Sequence, residues 1–109
     1  MTTVILDHTV LAELGETVGG DFVDELVATF LEEGPGMLDE LRKGAASGNV
    51  EAVRRAAHSL KSNAKTFGAV ALAEAARRVE VEGVGDENDG RIEAISQAFD
   101  AAARALSDR

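Results

Sequence analysis

The chain has 109 residues, a length that suits one small domain spanning 1–109, and 45% of them are hydrophobic. A net charge of −9 argues against nucleic-acid binding, and the absence of Cys removes disulfides and thiolate metal sites. No apolar run is long enough for a membrane span, and the N-terminus lacks the basic and apolar regions of a secretion signal, so a soluble, cytoplasmic monomer is expected.

With four Phe and no Trp or Tyr, packing falls mainly to Ala, Leu and Val, which suits close helix–helix contact. The periodicity is helical throughout. A short first helix begins near Asp7, a good N-cap, and carries Val10, Leu11 and Leu14. Gly15, Gly19 and Gly20 mark its end and a turn. The next stripe starts at Asp21 with Phe22, Val23, Leu26, Val27 and Phe30, and resumes after Gly34-Pro35-Gly36 with Leu38, Leu41 and Ala45. Two helices would account for this, but the continuity of the stripe favours one long helix bent at Pro35. Asn49 caps a third helix that runs to about Thr66, where Gly68 ends it in a left-handed turn. A fourth, from about Ala69 to Glu82, carries Leu72, Ala76 and Val79. After a polar loop over Gly83–Gly90, the last helix runs from about Asp89 to Leu106 with Ile92, Ile95, Phe99, Ala102 and Leu106 on one face. Short connections between four substantial helices predict an all-α, antiparallel up-down four-helix bundle with a short additional N-terminal helix.

His58 stands out within the third helix. With Leu60 at the centre of the buried face, Val53, Ala56, Ala64 and Phe67 lie within roughly 40° of it, while His58 lies about 160° away, on the wet side. Arg54, Arg55, Lys61, Lys65 and the small Ser62 surround it. Residues 54–78 hold six cations against Glu74 alone, a balance of +5, whereas the rest of the chain carries −14. A cationic run is usually a solvated face, and a lone exposed His is usually a surface residue. Here the run is centred on the histidine. Lys61 at i+3 and Arg54 at i−4 occupy the adjoining turns, within reach of an added phosphoryl group. Cations beside a neutral imidazole oppose its protonation and keep a lone pair available for attack.

The segment His58-Ser59-Leu60-Lys61-Ser62-Asn63-Ala64-Lys65-Thr66-Phe67-Gly68-Ala69 resembles the motif of histidine-containing phosphotransfer domains, His-x-x-Lys-(Gly or Ser) with a Gly about ten residues after the His. Leu72 and the Ala-rich helix after Gly68, the run Phe30-Leu31…Pro35…Leu38…Leu41, and the opening Leu6-Asp7, Leu11 and Leu14 extend the similarity over nearly the whole chain. Ser62 is a departure, since Gly is commoner there. The resemblance implies a phosphorelay intermediate. His58 would accept a phosphoryl group from a receiver domain's aspartyl phosphate and pass it to another receiver. Lys61 would steady the phosphoryl group, and Gly68 would permit the turn and close packing. Arg54, Ser62, Lys65 and Gly68 would contribute to partner docking, on a surface built from the exposed parts of the first helix and the His58 helix. The partners implied are receiver domains of response regulators or hybrid histidine kinases. The chain itself would need no cofactor, with Mg²⁺ supplied on the receiver.

Other features point to no second chemistry. His8 reads as a surface or capping residue, and two distant His without Cys are a poor metal set. Asp86-Glu87-Asn88-Asp89-Gly90 resembles a calcium loop, but its Gly comes one place early and Gln97 stands where a bidentate Glu is needed. No ATP-binding Gly-rich loop is present, so the protein is expected to carry phosphoryl groups without kinase activity of its own. The alternative is a bundle adaptor that binds a receiver or kinase without phosphoryl transfer. The N-terminal Met and the lack of linker-like tails favour a free-standing protein over a fragment of a hybrid kinase.

Overall fold

A computed structural model describes residues 4–84 and 90–109. The calcium-loop look-alike at 86–90 and the expected helix start at Asp89 therefore lie largely or wholly outside the described residues. Five helices follow in order: α1 (His8–Val18), α2 (Gly20–Ser47), α3 (Val50–Thr66), α4 (Val70–Glu82) and α5 (Arg91–Ser107). Helices α2 to α5 form the antiparallel four-helix bundle, and α1 lies across α2 and α3. No described helix is long and apolar enough to cross a membrane.

Two of the caps follow from the sequence. The Asp7 carboxylate accepts from the Thr9 backbone N–H, and the Asn49 side chain accepts from that of Ala52. The first helix runs through Gly15 and ends only at Val18, where Gly19 takes a positive φ. Gly15 was expected to help end it, yet one interior glycine costs a helix only about 1 kcal/mol.

The Gly34-Pro35-Gly36 segment lies inside a single helix. Pro35 and Gly36 are exposed, so the hydrogen bond that the proline cannot donate is lost on the wet side. Gly34 is there for packing: it is buried, and a Cβ added to it would overlap the ring of Phe99 on α5. Phe30, Phe67 and Phe99 meet at the centre, with ring centroids 5.2 Å (Phe30–Phe67) and 5.4 Å (Phe30–Phe99) apart. Around them the expected stripes are buried: Val53, Ala56, Leu60 and Ala64 on α3, Leu72, Ala76 and Val79 on α4, and Ile95, Phe99, Ala102 and Leu106 on α5.

The α3–α4 hairpin positions the site. Gly68 adopts φ +71° after the last turn of α3, and the Ala69 N–H returns to the Ala64 carbonyl. The Asp7 N–H donates to the Gly68 carbonyl at 2.7 Å, and the Ala71 N–H donates to the Val4 carbonyl at 3.0 Å. The segment before α1 is thus laid along the tip of the hairpin.

Candidate functional site

In an antiparallel helical hairpin, residues equidistant from the turn stand at the same height. His58 and Glu80 are each eleven positions from Ala69, at the tip of the α3–α4 hairpin. They meet side by side, with the Glu80 Oε2 2.5 Å from the His58 Nδ1. The other carboxylate oxygen, Oε1, is 2.5 Å from the Lys61 Nζ. One carboxylate therefore joins both residues of the sequence motif.

The His58 side chain is 61% exposed. Lys61 differs from the expectation that it stands free on the wet face, because its side chain is only 20% exposed and that of Glu80 only 17%. Lys61 lies about 100° around α3 from Leu60, at the edge of the core face, and its chain runs along α4 to the carboxylate. The Lys61 ammonium holds the Glu80 carboxyl below the ordinary carboxylate range, and the bond to His58 acts in the same sense, while partial burial opposes both.

The expected ring of bare cations is not what surrounds the imidazole. Its nearest ionised neighbour is Glu80. Lys61 is engaged by the same carboxylate, Arg54 pairs with Glu51 at 2.8 Å, Arg77 with Glu74 at 2.6 Å, and Arg78 approaches Glu82 at 3.8 Å. Arg55 and Lys65 alone among these six have no carboxylate in ion-pair reach among the described residues. Arg54, Ser62 and Lys65 are exposed on the side of α3 that carries His58. Gly68 is a correction to the docking set: it is buried, and a Cβ there would stand 2.6 Å from the Asp7 carbonyl oxygen and 2.9 Å from the Val10 Cβ. It holds α1 against the hairpin, so its place in the fold is that of a packing residue. His8 is exposed at the start of α1, far in sequence from the other histidine.

Sequence reasoning missed Glu80, although the signal was present. The hairpin turn at Gly68 fixes which residues of α4 face His58, and Glu80 follows Val79 of the core stripe by one position. A charge count that stopped at residue 78 left it out.

Fold and site together define an all-α bundle that presents one histidine to solvent with its Nδ1 held by a carboxylate. Residues 25–107 match the Hpt domain family model, and the chain belongs to that family, the histidine-containing phosphotransfer domains of two-component phosphorelays. Among solved structures it is similar to histidine-containing phosphotransfer protein B (HptB) from Pseudomonas aeruginosa PAO1, with 28% identity and a TM-score of 0.86 over 95% of this chain and 92% of that one. Comparison with curated proteins gives no match.

Proposed function

We propose that the protein carries a phosphoryl group between receiver-domain aspartates on the Nε2 atom of His58. The observation that carries this reading is the Glu80–His58 contact on an exposed imidazole. A carboxylate 2.5 Å from Nδ1 favours the tautomer with the proton on Nδ1, which leaves the lone pair on Nε2. That lone pair attacks the phosphorus of an aspartyl phosphate. The P–N bond forms as the P–O bond to the acyl oxygen breaks, and the aspartate leaves as a carboxylate with the electron pair. The ring gains positive charge, which the Glu80 carboxylate balances while Nδ1 keeps its proton. In the return step a second receiver's carboxylate attacks phosphorus and the P–N electron pair goes back to Nε2. Lys61, anchored by Glu80, stands one turn from His58 to meet the phosphoryl oxygens. Mg²⁺ and the remaining catalytic groups come from the receiver. The chain acts as a monomeric phosphocarrier in the cytoplasm.

The test is a transfer screen in which labelled phospho-receivers are mixed with wild type and with His58→Gln. The expected label is acid-labile and alkali-stable, maps to His58, and is absent from the variant. Label on His8 would overturn the assignment to His58, and full signalling by an unlabelled His58→Gln in cells would replace this reading with the adaptor.

A further inference from the structure

A groove of about 320 Å³ opens between the α2–α3 turn and the C-terminal half of α4. Its inner surface is apolar: Val53 and Val79 are buried and Ala45 and Val84 partly so. Val50 and Val81 line it too, and they are 77% and 67% exposed. Among the described large hydrophobic side chains these two are the most exposed. Glu80 and Arg54 also line the groove, so it begins where the His58 site ends.

We infer that this groove is part of the receiver-docking surface and takes an apolar side chain from a loop beside the receiver's phosphoaspartate. The inference rests on the phosphotransfer reading and adds a contact that reading does not require. Three observations select the occupant. The first is continuity, since Glu80 walls the groove and binds His58. The second is reach. A stable interface covers about 800 Å² per partner, a disc of radius about 16 Å. Val50 lies eight residues before His58 on α3, about 12 Å along the axis, and Val81 adjoins Glu80, so a partner centred on the imidazole covers both. The third is charge. A receiver brings an acidic pocket, and α2 presents Glu32, Glu33, Asp39 and Glu40 on its exposed face. The α3–α4 side presents Arg54, Arg55, Lys65 and Arg78, so the footprint is drawn to the side on which the groove opens, while Arg54, Glu80 and Glu82 supply its polar rim.

The test uses the receiver that loads His58 in the transfer screen. Its affinity is measured by titration calorimetry for wild type and for Val81→Asp and Val50→Asp, with thermal melts of each. Both valines are exposed, so the variants should melt like wild type. Each should bind the receiver about tenfold more weakly, the scale expected for losing one buried valine contact. In ¹⁵N-labelled wild type, the Val50 and Val81 amide resonances should shift when the receiver is added. Wild-type affinity in both variants, together with unshifted Val50 and Val81, would overturn the groove and leave the phosphotransfer reading intact. A wild-type protein that takes no phosphoryl group from any receiver would remove the reading on which the groove depends.

Discussion

Glu80 divides its two oxygens between His58 and Lys61, so replacing it acts on both. Glu80→Ala removes the acceptor for Nδ1 and frees the Lys61 ammonium. Loading of His58 by a phospho-receiver should fall by about tenfold or more, the usual scale for losing a partner that orients a reactive imidazole. Glu80→Gln keeps a carbonyl oxygen for Nδ1–H but loses the charge, so its loss should be smaller. Stopped-flow transfer rates check the order, and ¹⁵N shifts of the imidazole report whether the Nδ1–H tautomer persists. The sign of the pH dependence follows from the depressed Glu80 pKa. A carboxylate with a lowered pKa in the folded state contributes its stability in full above the ordinary carboxylate range, and loses it as pH falls through the folded value. The bridge should therefore be intact at neutral pH and fail only in acid. At this scale the sequence disclosed the exposed His58 and the motif around it. It disclosed the neighbours of Lys61 poorly, because helical-wheel reasoning on α3 does not include what α4 places opposite.

At the scale of elements, the α3–α4 hairpin and its tip decide the geometry. Gly68 combines φ +71° with the Asp7 carbonyl in close approach. An alanine there meets a left-handed backbone, worth roughly 1 kcal/mol or more, and a clash with the segment before α1. Gly68→Ala should lower the melting temperature by several degrees and increase amide exchange in α1 ahead of the rest of the bundle. Equal protection of α1 in variant and wild type would show that Gly68 does not hold that helix. The helices themselves were legible, because each buried stripe repeats at helical spacing and Asp7 and Asn49 cap as side chains of their type do. The boundary at Gly15 was not, since a glycine inside a short helix and a glycine after it look alike in sequence. The role of Gly34 was not legible either, because the ring that needs its missing Cβ lies on α5, 65 residues away.

For the whole molecule the relevant quantity is the charge distribution. The chain carries −9 in all, yet residues 54–78 carry +5, a balance that falls to +2 once Glu51, Glu80 and Glu82, the partners of Arg54, Lys61 and Arg78 on the same face, are counted. On the phosphotransfer reading, an acidic receiver pocket would be attracted to this face and repelled by most of the remaining surface, which would orient the encounter. Raising salt from about 0.05 M to about 0.5 M should slow association by about tenfold while changing dissociation little. Stopped-flow fluorescence at several salt concentrations measures both rates, and salt-independent association would show that the cationic face does not steer. The patch was legible in the sequence as a sum, but its internal pairing was not. Four of its six cations have a carboxylate within reach, which leaves Arg55 and Lys65 as the charges freest to act at long range.

The equal heights of His58 and Glu80 on the hairpin also limit how the gene can change. One residue gained or lost within α3 or α4 between these two positions would turn one side chain about 100° relative to the other and move it about 1.5 Å along the axis. The carboxylate would then face the core or open solvent. A change of one residue is thus tolerable in a surface turn far from the pair, but the 22-position separation between these residues is fixed by the pitch of the helices. Substitutions can accumulate along this stretch while its length stays constant.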